Sequence, residues 1–374
     1  MKQRTFNILL TVLFCLFIGG MFLGSLILPD RDFSQLENRK LAQTPALSLE
    51  NITTGKFMED AEDYVNDQII GRDFWVALKA WSERVSGKQE NNGVYFAKED
   101  TLISRVDTPE QSTLDTNAGY VNALVDNVDV PVYFGIIPSA AEIWSDRLPE
   151  GAPTADEKAI IDRLYNEVQT HVIDLYSVLN AHKDEELYYR TDHHWTSLGA
   201  FYGYTALMNA MGLEAVPLDE SQEVTVSDEF CGTLFSSSGV RWLPPDHIDR
   251  YISDEGVTVT AYPNGAPEPG SLYVDSYLQV KDKYSSFLGG NKPLCVIETE
   301  HTDAPKVLVI RDSYADSLAP FLTQNFSEIH LFDPRMNLTS VKDYVVQNEI
   351  DSVVVLYSIS NFFAKGSQLF VLGG

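Results

Sequence analysis

Cations are scarce in this chain of 374 residues: 27 Lys and Arg stand against 54 Asp and Glu, a formal charge of −27. Nucleic-acid binding needs clustered Lys and Arg to displace phosphate counterions, so nucleic acid is not an expected partner. Cysteine is scarcer still. Cys15, Cys231 and Cys295 form no Cys-x-x-Cys pair and no zinc spacing, so neither a structural zinc site nor a disulfide framework is expected. Cys295, within the apolar run Leu294–Ile297, reads as a small buried strand residue; the alternative is a bridge to Cys231 in an oxidising compartment. No internal repeat with a period of about 20 to 50 residues is present, which excludes solenoids and propellers.

What is present begins with one long apolar run. Apolar residues make up 44% of the chain and aromatics 11%, enough for a folded core and too much for an acidic disordered segment. Phe6 to Leu28 carry no charge. At ~1.5 Å per residue they span about 34 Å as a helix, enough to cross a ~30 Å hydrocarbon layer. Residues 1–28 therefore read as a single membrane-spanning anchor. A cleaved signal peptide is the competing reading, but its apolar core is shorter and ends in a small-x-small site, whereas here Phe22 and Leu23 are bulky. Lys2 and Arg4 precede the run, while Arg31, Arg39 and Lys40 follow it, so charge alone leaves orientation open. A very short N-terminal tail and a domain carrying 25 cations against 54 acids after the anchor favour a single-pass cell-membrane protein whose C-terminal part is extracytoplasmic.

Residues 29–92 read as a polar tether followed by a helical collar. Phe57, Ala61, Tyr64 and Val65, then Phe74, Leu78, Trp81 and Val85, recur at spacings of three and four, with a break near Gly71. From Gly93 onward the rhythm changes. Short β-rich runs at 93–97, 130–137, 172–176, 306–310, 329–332 and 352–357 alternate with helical segments around Ile160–Val168, Leu198–Met211 and Leu318–Leu322. Such alternation predicts an α/β domain over 93–374: a doubly wound, parallel sheet with helices on both faces. Residues 213–290, acidic and turn-rich, are expected as an inserted flap over the sheet's working edge.

Ligands in such sheets bind beyond the carboxyl ends of strands. Three of those ends carry unusual residues: Pro138-Ser139, Arg311-Asp312-Ser313-Tyr314 and Asp333-Pro334-Arg335. At the second, Ser313 sits where a strand turns into a helix, as a nucleophile does; an ordinary helix cap is the alternative. The base such a serine needs is suggested by Asp192-His193-His194-Trp195, where two of the chain's seven histidines adjoin a carboxylate. Asp192 can orient His194 and leave its other nitrogen for a serine. A structural turn and a metal site remain alternatives for this cluster, although no further ligand set matches it.

The block Tyr188-Tyr189-Arg190-Thr191-Asp192-His193-His194-Trp195-Thr196-Ser197-Leu198-Gly199-Ala200 resembles the signature of the DHHW family, bacterial membrane-anchored proteins similar to AlgX/AlgJ-type alginate O-acetyltransferases of the SGNH-hydrolase-like superfamily. Leu36–Leu41, Asn66-Asp67 with Arg72, Phe287–Asn291, Asp312–Tyr314 with Pro320–Leu322, and Asp333–Arg335 agree with it in order, from about residue 36 to near the C-terminus. The resemblance implies an SGNH-like fold and a catalytic triad of Ser313, His194 and Asp192. The chain order is permuted relative to ordinary SGNH enzymes, with Asp-x-His ahead of the serine. It implies O-acetylation of a cell-surface or exported glycan, with the acyl group delivered by a multipass membrane acyltransferase and no cofactor. Ser313 N–H and Asn291 are the expected oxyanion donors; His193 and Tyr314 are candidate substrate contacts, and Arg335 a candidate anion holder or one half of an ion pair. A noncatalytic glycan-binding component and a carbohydrate esterase are the alternatives. Strong acidity favours neutral or cationic sugars.

Overall fold

A computed structural model describes residues 3–373, so Met1, Lys2 and Gly374, at the ends of the expected anchor and catalytic segments, lie outside the described residues. The chain divides into two compact units, one running through Lys88 with Ser236–Trp242, the other comprising Gln89–Phe235 with Leu243 onward.

The first unit is helical. Its uncharged run forms α1 (Gln3–Ile27), with no buried residue. Helices α2 (Lys56–Gln68) and α3 (Arg72–Val85) follow the three-and-four spacing and are separated at Gly71, whose φ of 68° is one that glycine adopts without steric cost. The stretch expected as a plain tether instead folds back onto α2. Arg31 N–H donates to Gln68 Oε1 at 2.9 Å and Ala42 N–H to Asp67 Oδ2 at 2.8 Å. Arg39 and Arg72 pair with Asp67 and Glu37, so the matching blocks Leu36–Leu41 and Asn66–Arg72 meet in one ion-pair network.

The second unit is mixed α/β. The eight strands of its main sheet and the longer helices around them are α4 (Gln111–Asn127), β1 (Val132–Ile137), α5 (Glu157–Glu167), β2 (His171–Val172), α6 (Leu175–Ala181), α7 (Ser197–Met211), β3 (Thr258–Ala261), β4 (Glu268–Pro269), β5 (Leu294–Glu298), β6 (Lys306–Arg311), α8 (Ala315–Leu322), β7 (Glu328–Phe332), α9 (Val341–Gln347) and β8 (Ser352–Ser358). The sheet order is β4-β3-β5-β7-β6-β8-β1-β2. From β7 to β2 the pairing is parallel, and from β7 through β5 and β3 to β4 it is antiparallel. All seven residues of β8 are buried, as are five of six in β6, so both faces of the centre are covered. That is why these strands are unbroken runs of Val, Ile and Leu.

The structure departs from the expected parallel sheet in several places. The sheet is mixed, because β5 runs antiparallel to β7 and residues expected in a flap supply β3 and β4 beyond it. The run at 93–97, expected as a strand of that sheet, instead gives Val94–Phe96 of a separate antiparallel sheet with Glu90–Asn91 and Leu102–Ser104, and Val224–Phe230 pairs with Asp246–Arg250 in another. The strand expected at 172–176 stops at Val172, because Asp174 caps α6 by accepting the Ser177 N–H at 3.0 Å. Helix α4, with Leu114, Ala118, Val121 and Leu124 buried, was not anticipated. Cys295 is a buried thiol of β5, its pKa pushed up to about 11 by burial.

Candidate active site

Strand β6 delivers Ser313. After Arg311 the chain turns through Asp312 and Ser313 into α8, and the buried Asp312 carboxylate fixes that turn. One oxygen takes the Tyr314 N–H at 3.0 Å; the other takes the N–H and hydroxyl of Ser358 and the Asn361 amide, at 2.9, 2.6 and 2.9 Å. Ser313 is not a helix cap: its side chain meets His194, with Oγ 2.8 Å from Nε2.

The loop before α7 delivers the base. Tyr188 and Trp195 form an isolated antiparallel bridge, and Tyr189 N–H donates to the His194 carbonyl, so residues 189–194 are a closed loop. Asp246 pins its base, accepting the N–H groups of Arg190 and Thr191 at 3.0 and 2.8 Å. Within the loop, Asp192 Oδ1 takes the His194 N–H at 3.0 Å and Nδ1 at 2.6 Å; its Oδ2 takes the N–H and hydroxyl of Thr233 at 2.7 and 3.0 Å. A carboxylate can only accept, so this network assigns the proton to Nδ1 and leaves the Nε2 lone pair facing Ser313.

Electrostatics agree with that assignment. Burial opposes the Asp192 charge, but His193, His194 and the Thr233 N–H outweigh it and hold the carboxyl well below the usual range. Burial and the adjoining His194 push His193 down to about 4. Asp192, His193 and His194 are close enough to share a cation. Their donor atoms are engaged otherwise: His194 by Asp192 and Ser313, Asp192 by His194 and Thr233, His193 Nδ1 by Thr233 Oγ1 at 2.8 Å. The set fits a proton relay better than a metal centre.

Aromatic rings lock the relay. Tyr284, unsuspected from sequence, stacks flat on His194 with centroids 3.8 Å apart and 9° between planes. Its hydroxyl donates to the Ser313 carbonyl at 3.0 Å and lies 3.0 Å from Ser317 Oγ, so one side chain holds base and nucleophile in register. Trp195 Nε1 donates to the Tyr314 carbonyl at 2.9 Å, and the Tyr314 hydroxyl donates to the His193 carbonyl. Thus Tyr314 is a buried brace, and it is not positioned as a substrate contact.

Asn291 is tied through Oδ1 to Arg311 Nη1 at 2.8 Å. Arg311 is fully buried beside Asp316, 2.9 Å away, whose carboxyl burial raises to about 6. With its oxygen engaged, Asn291 keeps its amide NH2 for another acceptor. Arg335 grips Asp333 through both Nε and Nη2, at 2.8 and 2.6 Å. It is half of an ion pair, with its Nε–Nη2 edge committed to that carboxylate.

The mixed α/β unit thus brings a strand-end serine, a loop histidine and a buried aspartate into one hydrogen-bonded row. The family model for DHHW proteins matches residues 111–332, and the chain belongs to that family. A probable alginate O-acetylase AlgJ from Pseudomonas syringae pv. tomato is 24% identical over 247 residues, which is 61% of this chain and 60% of that protein. Among solved structures, a DHHW family protein from Eubacterium siraeum matches with a TM-score of 0.66 and 25% identity, over 75% of this chain and 95% of that one. Bacillus cereus PatB1, in a structure with a sulfonyl adduct, shares the fold with a TM-score of 0.61 and 20% identity, over 74% and 97% of the two chains.

Proposed function

We propose that this protein is a membrane-anchored, extracytoplasmic O-acetyltransferase of SGNH-hydrolase type that acts on a cell-surface or exported glycan. The row Asp192–His194–Ser313, closed by the 2.8 Å contact between Nε2 and Oγ, carries the reading. His194 Nε2 takes the Ser313 proton as Oγ attacks the acyl carbonyl, and Asp192 steadies the imidazolium so formed. The oxyanion meets the Ser313 N–H and, as a second donor, the Asn291 amide NH2, whose own oxygen is held by Arg311. His194 then returns its proton to the leaving group. In the second half it deprotonates a sugar hydroxyl that attacks the acyl-enzyme, releasing the acetyl ester and Ser313. Likeness to a probable alginate O-acetylase supports acetyl as the acyl group and a polysaccharide as the acceptor. The apolar helix α1 supports an anchor, with a multipass membrane acyltransferase as the source of the acyl group.

The test is covalent labelling of the full chain by a serine-directed sulfonyl fluoride, with turnover of a chromogenic acetyl ester measured alongside. Label on Ser313, lost in Ser313→Ala and strongly slowed in His194→Ala, is expected. Turnover accelerated by a sugar acceptor identifies a transferase; turnover indifferent to acceptors identifies a carbohydrate esterase. Surface-glycan acetylation that survives Ser313→Ala but not deletion of the protein refutes catalysis and leaves a glycan-binding or assembly component.

A further inference from the structure

Helix α3 has two apolar faces, and among the described residues only one is covered. Val76 and Ala80 face Gly239, where an added Cβ would lie 3.3 and 3.4 Å from them. Phe74, Leu78, Trp81 and Val85, spaced four, three and four apart, form a second stripe whose members are 61, 39, 55 and 67% exposed. A run of four large apolar side chains left open on one short helix needs an occupant.

Contacts at the start of the helix identify it. Ile70, in the turn that opens α3, donates its N–H to Ser25 Oγ of α1 at 3.0 Å and packs against Gly24. Trp75 meets Phe17 of α1 edge to face, with centroids 6.1 Å apart. Phe17 lies ten residues, about 15 Å, before the end of α1. The beginning of α3 is thus held along the C-terminal half of the helix expected to cross the bilayer, from Phe17 to Ser25. Around that corner, Arg31 pairs with Asp73 at 3.0 Å and Arg72 with Glu37. Paired charges beside an apolar stripe are the composition of the zone between headgroups and acyl chains, and tryptophan is enriched at that depth.

We infer that α3 is a membrane-interfacial helix whose Phe74–Leu78–Trp81–Val85 stripe lies in the outer part of the acyl-chain layer, so that the chain holds the bilayer by α1 and α3 together. The inference rests on the anchor reading of α1. Lipid is the occupant because the stripe starts at a residue adjoining Trp75, which touches α1, so one apolar surface passes from the spanning helix to the collar.

The experiment uses the full chain in phosphatidylcholine vesicles carrying chain-brominated lipid. Tryptophan emission is compared between wild type and Trp81→Phe, so that the difference isolates Trp81. Most of the Trp81 emission should be quenched, and Leu78→Asp, which leaves Trp81 in place, should restore it while the chain resists carbonate extraction. A chain that resists extraction but whose Trp81 emission is unquenched overturns this proposal alone. Extraction of the wild-type chain by carbonate overturns it together with the anchor. Efficient cross-linking of Trp81→Cys to a second copy also overturns it, because a protein surface then covers the stripe.

Discussion

Gly232 offers a way to displace the orienting carboxylate without touching the Asp-His-Ser row. A Cβ added there would lie 2.3 Å from both Cβ and Oδ2 of Asp192 and 2.6 Å from its Cγ. Comfortable contact between such atoms begins near 3.5 Å, so Gly232→Ala requires a shift of about 1 Å. The backbone at Gly232 is not in the left-handed region, so the substitution strains packing alone. Asp192 cannot swing aside cheaply, because Oδ2 is held by both donors of Thr233. If the carboxylate moves by that amount away from His194, the 2.6 Å bond to Nδ1 stretches past the ~3.5 Å at which a hydrogen bond is lost. Overpacking of this kind costs about 1–3 kcal/mol of stability. On the proposed mechanism, loss of the orienting carboxylate should slow reaction at Ser313 by about 10⁴-fold. The assay is the rate of Ser313 labelling by a sulfonyl fluoride, with thermal unfolding recorded on the same sample. A Gly232→Ala protein that is folded and labels at the wild-type rate would refute the reasoning, since it would mean that the carboxylate is dispensable or the packing is not as described.

Two further outcomes are expected elsewhere. Burial raises the Glu157 carboxyl from 4.5 to about 7, while Ser139 donates to it through N–H and hydroxyl at 2.8 and 2.6 Å. The folded state therefore keeps a proton that the unfolded state releases between about pH 4.5 and 7, and stability falls as pH rises through that window. Glu157→Gln should flatten this part of the profile, so that its unfolding free energy gains on wild type by up to about 3 kcal/mol between pH 5 and pH 8; parallel profiles would contradict the assignment. In the first unit, Asp67 accepts the Ala42 N–H and anchors Arg39. Asp67→Ala should cost about 2 kcal/mol locally and expose that amide, read as faster hydrogen exchange at Ala42; unchanged exchange would mean that the network is ornamental.

How much of this was legible depended on whether the signal was local. Strands β6 and β8 were readable because both faces are covered and their central positions, Val307–Ile310 and Val353–Leu356, are all apolar. The antiparallel strands β3 and β4 were not, because Pro269 and the turns around them resemble loop sequence and their pairing is set by β5. Val172 to Tyr176 is apolar enough for a strand, yet one capping side chain, Asp174, ends it and starts a helix. Helix α4 escaped notice because its buried stripe is interrupted by Asn117, whose amide donates to the Phe362 carbonyl across 245 positions.

The site shows the same division at closer range. Asp192, His193, His194 and Trp195 adjoin one another because each does a different job within one closed loop. The first orients, the third faces Ser313, the second lends its carbonyl to Tyr314, and the fourth ties the loop to the helix behind Ser313. Four tasks compressed into four positions leave a mark in the sequence. Tyr284 and Thr233 serve the same relay from segments with no periodic pattern, and each uses contacts that exist only after the chain has folded. The geometry makes their roles separable. Thr233 holds the oxygen of Asp192 that His194 does not use, so it governs where the carboxylate sits. Tyr284 spans from the His194 ring to the Ser313 carbonyl, so it governs the distance between base and nucleophile. Residues legible in the sequence thus form the Asp192–His194–Ser313 row, and residues legible only in the fold hold that row in place.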